Sequence, residues 1–260
     1  MEALILAAGI ARRLESGTPK CLLAFDRVPL LHRHLAHLAR VGVRRATIVV
    51  GYRAAEIEQS VARLVPAPSI EVRFVLNPRF REGSILSLRE GLAAIGAGAA
   101  AVTVMDADVL YEPLVLERLI SASGTCFLMD ETHPETGEEM MLAARAGRIH
   151  RIARRIGRGW DETGEGVGFL RVDASDLLAL RTAVDATLAA CGTALDYEVA
   201  IDAFLADRPA RYVRVGGLAW TEIDFPEDVL AAERDVLPIV RLREQAVDLP
   251  PAPESAHHRA

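Results

Sequence analysis

Two pairs of carboxylates are the residues of this chain best suited to chemistry. MDADVLY (105–111) carries Asp106 and Asp108, and WTEIDF (220–225) carries Glu222 and Asp224, with one residue between the acids in each case. Side chains two apart on an extended segment project the same way, so either pair can converge on one hard cation. Magnesium suits such oxygen donors and bridges phosphate groups, its role in phosphoryl and nucleotidyl transfer. Taken singly, each pair is better explained as solvated acids at a strand end. Their joint presence with a basic loop favours the metal.

That loop lies in LILAAGIARRLESGTPKCLLAF (4–25), where small residues and Gly9 are followed by Arg12, Arg13 and Lys20. Small residues let backbone N–H groups approach phosphate oxygens, and the cations offset a triphosphate's charge. No G-x-G-x-x-G is present, which argues against a dinucleotide-binding loop. LNPRFREGSILSLREGL (76–92) places Gly83, Ser84 and Ser87 where a helix begins. Hydroxyls and free N–H groups there can hydrogen-bond a pyrimidine edge or a phosphate, and Ser84 can equally cap the helix. Glu165, Tyr197 and Glu198 can meet a cationic group by charge or cation–π contact; a surface acid and a half-buried tyrosine are the plainer readings. His32, His34 and His37 have no carboxylate at metal-ligand spacing and read as surface or subunit-contact histidines. Cys21 adjoins Lys20, which favours a lowered pKa, but no covalent step is assigned to it.

Positioning these residues requires strands that end just before them. ALILA (3–7), ATIVV (46–50), IEVRFV (70–75) and AAVTVM (100–105) are short apolar runs separated by segments of helical period at 29–41, 54–64 and 84–95. Four buried strands joined by three helices predict a parallel sheet with right-handed crossovers, whose ligand chemistry sits at the strands' carboxyl ends. Gly9, Asn77 and Asp106 to Asp108 all follow directly on such ends. From about residue 123, TCFLMD (125–130), EMMLAAR (139–145), RIHRIAR (148–154) and GVGFLRV (166–172) predict a more antiparallel, substrate-covering section. Helices at roughly 174–190 and 195–206, a strand near 210–215 and a final helix from Pro226 close the chain. The expected class is α/β, a Rossmann-like, mostly parallel sheet with helices on both faces and a small antiparallel section.

At 260 residues, 51% hydrophobic and 25% charged, the chain can bury a full core in one domain, read as residues 1–247 with a disordered tail over 248–260. A formal net charge of −6 offers polyanions no overall attraction, so nucleic acid is not an expected partner. Cys21, Cys126 and Cys191 are scattered, indicating neither a disulfide framework nor a zinc site and fitting a reducing cytoplasm. No apolar run of 18 residues and no basic leader appear, so membrane insertion is not expected. A homodimer is left open.

The N-terminal stretch resembles the signature of nucleotidyltransferases that include sugar-phosphate nucleotidyltransferases and phosphocholine cytidylyltransferases, written LAAGxGxRL followed by PKxL. WTEID (220–224) is similar to the W-x-E-I-D segment of phosphocholine-type cytidylyltransferases, and residues 76–92 to the family's N-P-x-[YF]…S-L segment. The resemblance spans roughly residues 2–235. It implies that Leu6, Ala7, Ala8, Gly9, Arg13, Lys20, Gly83, Ser84, Ser87 and Asp106 bind the nucleotide, and that Lys20, Arg13, Asp108 and Asp224 are catalytic. Asp108 and Asp224 would hold Mg²⁺, with Glu222 a further ligand or water anchor; Asp106 can instead support the loop by accepting backbone N–H bonds. Arg154 stands where the family has a lysine facing the acceptor phosphate, and guanidinium can grip a phosphate bidentately. Arg154, Glu165, Tyr197, Glu198 and Glu222 form the implied acceptor side. Two further positions depart from the pattern: Ala11 replaces the second glycine and Met141 a lysine. The implied reaction joins CMP from CTP to a small phosphorylated or phosphonate acceptor of the phosphocholine, 2-aminoethylphosphonate or polyol-phosphate type, releasing pyrophosphate. A sugar-1-phosphate nucleotidyltransferase using UTP, dTTP or GTP, and an inactive nucleotide-sensing subunit, are the alternatives.

Overall fold

The computed structural model describes residues 1–11, 13, 14, 17–64, 69–96, 98–133, 137 and 139–248; Arg12 and the predicted tail beyond residue 248 lie outside them. In chain order the strands and helices are β1 (Glu2–Ala7), β2 (Ala24–Phe25), β3 (Val28–Pro29), α1 (Leu30–Arg40), β4 (Arg45–Val50), α2 (Ala54–Ala62), β5 (Glu71–Leu76), α3 (Ser84–Ala94), β6 (Ala101–Asp106), β7 (Val109–Tyr111) and α4 (Pro113–Ser121). There follow β8 (Cys126–Asp130), β9 (Met141–Arg145), β10 (Arg148–Ala153), β11 (Glu162–Asp173), α5 (Ala174–Cys191), α6 (Glu198–Asp207), β12 (Arg211–Arg214), β13 (Trp220–Glu222), α7 (Pro226–Ala231) and α8 (Leu237–Asp248).

The main sheet runs β10-β9-β11-β6-β1-β4-β5, with β8 pairing β11 and β12. β6, β1, β4 and β5 are parallel, whereas β11 runs antiparallel to β6, β8 and β9. This is the α/β class expected from the sequence: a parallel centre with helices on both faces and an antiparallel wing. The alternation in β1 shows how it forms. Leu4 joins a cluster with Leu88 and Leu92 of α3 and Leu180 of α5. Ala3, Ile5 and Ala7 join the opposite cluster, with Leu31, Leu35 and Leu38 of α1 and Leu116 and Leu119 of α4. A strand covered on both faces reads as a continuous apolar run, as this one does.

Four expectations shift. β5 is not a buried strand: it lies at the sheet edge and none of its residues is fully buried. The helix expected from residue 195 starts at Glu198, because the Leu195 carbonyl accepts from the Ile85 N–H at 3.2 Å rather than from a turn of its own helix. The final helix is broken by a π turn at Ala232–Val236, so α7 and α8 are separate. His34 and His37 are buried rather than superficial; both rings pack against Tyr111, with centroids 5.2 and 5.1 Å away. Burial lowers both of their pKa values.

Candidate active site

β1 is the switch point of the sheet: the chain leaves it to build β4 and β5 on one side and β6 on the other, the place where open α/β sheets leave a crevice. The loop after β1, the start of α3, the start of α6 and the β13 segment meet there around a cleft of about 340 Å³. The cleft brings together Leu6, Ala7, Ala8, Gly9, Arg13, Lys20, Ser84, Ser87, Asp106, Asp108, Arg154, Tyr197, Glu198, Glu222 and Asp224. Gly83 and Glu165, also expected there, are elsewhere. A Cβ on Gly83 would meet Thr193 O at 2.1 Å, so this glycine is required for α3 to pack under the loop before α6. Glu165 lies beside His133, 3.4 Å away.

The acids sort into two environments. One ligand oxygen each from Asp108, Glu222 and Asp224 can be chosen so that all lie within 4.8 Å of one another. β7 and β13 bring them together, pairing Glu222 with Val109, and the Ile223 N–H donates to Asp108 O at 3.0 Å. Asp106 stands apart from this group. Its Oδ2 accepts from the Tyr197 hydroxyl at 2.7 Å rather than from backbone N–H groups, and a Cβ on Gly168 would come within 2.6 Å of that same oxygen. Burial, then the charges of Asp108, Glu198 and Glu222, raise the Asp106 pKa well above its ordinary value. Glu222 is exposed on its outer side, yet the desolvating walls of the cleft and the carboxylates of Asp108 and Asp224 push its pKa up as well. Three hard oxygen donors crowded by mutual repulsion fit a divalent cation, which would relieve that repulsion.

The cations are tied to these acids. Lys20 sits in a 3₁₀ turn, Lys20–Leu22, and its Nζ donates to Asp108 Oδ2 at 2.8 Å and to Asp224 Oδ1. Burial alone would lower its pKa, but the charges of Asp108 and Asp224 and the two hydrogen bonds outweigh it, so the ammonium is held protonated. Arg13 reaches Asp224 at 3.3 Å and stacks over Phe225. Arg154 lies 3.8 Å from Asp196.

Several other positions acquire explanations. Ser84 does not cap α3: Gly83 holds the N-cap position without a side-chain bond, and Ser84 Oγ is taken by Tyr197. Ser87 Oγ accepts from Asn77 Nδ2 at 3.0 Å. Ala11, in place of the signature's second glycine, is buried with Leu14, Leu110 and Ile223 beneath the loop. Met141 joins a small apolar cluster with Ala143 and Ile156 and lines neither the cleft nor the cavity beside it, where Met140 stands instead. The Cys21 thiol is buried and pushed up to about 12 by burial and by Asp108, the opposite of an activated thiol.

Phe80 and Asp196 were not foreseen as lining the cleft, nor the apolar cavity beside Arg154 walled by Phe127, Met140, Ile152 and Ile201. Phe80 falls on the last position of the N-P-x-[YF] segment and Asp196 lies two residues before Glu198, so both had a local signal; the apolar residues of the cavity come from segments far apart in sequence and carry no motif.

A family model described as a MobA-like NTP transferase domain matches residues 3–164, more than half of the chain. The bifunctional IPC transferase and DIPP synthase of Rubrobacter xylanophilus is 28% identical over 242 residues, covering 90% of this chain and 52% of that protein. The CMP-5'-(3-aminopropyl)phosphonate synthase of Streptomyces rubellomurinus is 27% identical over 253 residues, covering 90% and 38%. The chain thus spans about half or less of the length of these relatives. Among solved structures, the inositol-1-phosphate CTP transferase from T. maritima superposes with a TM-score of 0.74 at 18% identity, covering 92% of this chain and 96% of that one. The CTP:phosphocholine cytidylyltransferase of Streptococcus pneumoniae gives a TM-score of 0.67 at 18% identity, covering 89% and 97%. These likenesses are of fold. Among the described residues, no helix is long and apolar enough to cross a membrane.

Proposed function

Because the chain belongs to the MobA-like NTP transferase family, we propose that it transfers CMP from CTP to a small phosphorylated or phosphonate acceptor and releases pyrophosphate. The observation that carries this reading is the bridge Lys20 makes between Asp108 and Asp224, with Arg13 on Asp224 and Arg154 lining the same cleft. Such an arrangement suits the joining of two anions, where positioning and charge neutralisation supply most of the acceleration. CMP and a phosphonate both figure in the name of the Streptomyces relative. On the base side, the Ser84 hydroxyl accepts from Tyr197 and so retains its own hydrogen for a ligand.

An acceptor oxygen attacks the α-phosphorus in line; the new P–O bond forms as the bond to the β-phosphate's bridging oxygen breaks, and pyrophosphate leaves with the electron pair. A phosphate or phosphonate acceptor is already anionic near neutral pH, so no general base is needed. Asp108, Asp224 and Glu222 would hold magnesium, which when bound offsets phosphate charge. Lys20 and Arg13 then face the donor phosphates and Arg154 grips the acceptor.

A matrix of five nucleoside triphosphates against a panel of small phosphates and phosphonates, read as pyrophosphate release with and without magnesium, tests this. CTP is expected to give the highest kcat/KM. A preference for UTP or dTTP would move the chain to the sugar-1-phosphate branch, and nucleotide binding without release for any pair would make it a sensor.

A further inference from the structure

The proposed metal ligands lie on or beside a two-stranded sheet of only three paired positions, Trp220 with Tyr111, Thr221 with Leu110 and Glu222 with Val109: Glu222 ends β13, Asp108 directly precedes β7 and Asp224 follows β13 by two residues. A two-stranded ribbon this short has little stability of its own, and a slip of one residue would turn Glu222 to the opposite face. One end is closed by Ile223 on Asp108. The other end is closed by Glu112, which is 2% exposed and follows β7 directly. Its N–H donates to Ala219 O at 2.9 Å, and its Oε1 accepts from Ala219 N at 2.9 Å, so a single residue takes both backbone groups of the position just before β13. Its Oε2 lies 3.1 Å from Nε of Arg243, on α8, whose charge compensates the buried carboxylate.

We propose that Glu112 is a positioning residue for the metal site, fixing the β7–β13 register so that Glu222 and Asp224 face Asp108. This rests on the metal assignment made above. Glu112 touches no ligand; it acts through Ala219. The register is thereby keyed to the C-terminal helix, whose Val240 and Leu237 pack with Leu110 of β7 and with Ile223.

The test is Mn²⁺ binding to the full chain without nucleotide, followed by electron paramagnetic resonance, with melting temperature measured alongside. Glu112→Ala is expected to weaken Mn²⁺ binding by about 10–100-fold, the usual loss when support behind a metal ligand is removed. Glu112→Gln keeps an oxygen for the Ala219 N–H and is expected to restore most of the affinity. Arg243→Ala leaves both Ala219 contacts of Glu112 in place but strips the buried carboxylate of its compensating charge, so it is expected to lower the melting temperature while the Mn²⁺ affinity of the folded protein stays within about fivefold of the wild type. A merely structural glutamate would lower the melting temperature and leave the dissociation constant of the folded protein alone. Unchanged Mn²⁺ affinity in folded Glu112→Ala would overturn the proposal, as would equal losses in the Gln and Ala variants. If Glu112→Ala does not fold, Glu112→Asp, too short to span to Ala219, is read by the same criterion. Absence of saturable Mn²⁺ binding in the wild type would instead remove the metal site, and the clamp with it.

Discussion

The loop carrying Gly9 to Lys20 and the segment from Trp220 to Asp224 face one another in the same cleft, yet they are held there differently. The first leaves β1, which is hydrogen-bonded to β4 and β6 and buried on both faces. The second rides on three rungs of β7–β13 pairing, steadied by the Trp220 indole N–H on Asp130 at 2.8 Å and by Glu112 on Ala219. Sheet topology places one wall; a few buried polar side chains place the other. The first should tolerate changes beneath it, and the second should be sensitive to single side chains outside the cleft.

The largest effects are expected where the two walls touch. Asp108→Asn and Asp224→Asn, which remove the two acids that Lys20 of the loop bridges, should each abolish metal-dependent turnover while the fold persists. Near-wild-type rates in either folded variant would remove the shared cation from the comparison. Next comes Lys20→Ala, which deletes the bridge between Asp108 and Asp224. If the ammonium stabilises charge on the donor phosphates in the transition state, kcat should fall by roughly 10²–10³-fold. An unchanged kcat with a raised nucleotide KM would reduce Lys20 to ground-state binding.

The contrast also sets how much was legible in the sequence. Strands β1, β4 and β6 are continuous apolar runs ending in Gly9, Gly51 and Asp106, and such runs name their own boundaries. The loop and Lys20 are contiguous, so their chemistry is visible before folding. WTEID was visible as a motif, but what holds it was not: Glu112 and Asp130 sit about ninety residues or more upstream and signal nothing locally. The histidines misled for the same reason. An amphipathic helix reads as solvated on its polar side, whereas α8 packs over it and joins His37 and Arg33 to Glu244.

A smaller effect is expected from Arg154→Ala. Arg154 lines the apolar cavity of Met140 and Ile152, and in its proposed role as the acceptor grip its loss should raise the acceptor KM about tenfold or more, consistent with losing a charge-assisted contact, while the nucleotide KM changes little. Equal shifts in both constants would argue against separate donor and acceptor walls. Smaller again is Glu244→Gln, which loosens α8 without touching the cleft. Burial would raise the Glu244 pKa, but hydrogen bonds from His37 and Arg33 hold it down, from 4.5 to about 2. The folded-state pKa is depressed, so this contribution is complete above the unfolded value near 4.5 and fades as pH falls toward 2. The melting-temperature gap between wild type and Glu244→Gln should be steady from pH 8 to 5 and close below it; a gap independent of pH would show that the ionised pair is not its source.

The last test separates two glutamates that look alike in sequence. Glu198 lines both the main cleft and the apolar cavity beside it, whereas Glu165 pairs with His133 on the antiparallel wing. For an acceptor bearing a cationic end, Glu198→Gln should raise its KM, and Glu165→Gln should leave both KM values where they were. Glu165 has its own signature. Burial, helped by Glu139 and Asp130 and opposed by His133, pushes its pKa from 4.5 up to about 7. A carboxyl whose folded pKa is raised favours the folded state while protonated and costs stability once ionised, so wild-type stability should decline as pH rises from 4.5 through 7. Glu165→Gln, permanently neutral, escapes that decline, and its melting temperature relative to wild type should climb across the same window. A flat difference would mean that His133 neutralises the carboxylate fully, and a changed acceptor KM would return Glu165 to the substrate wall.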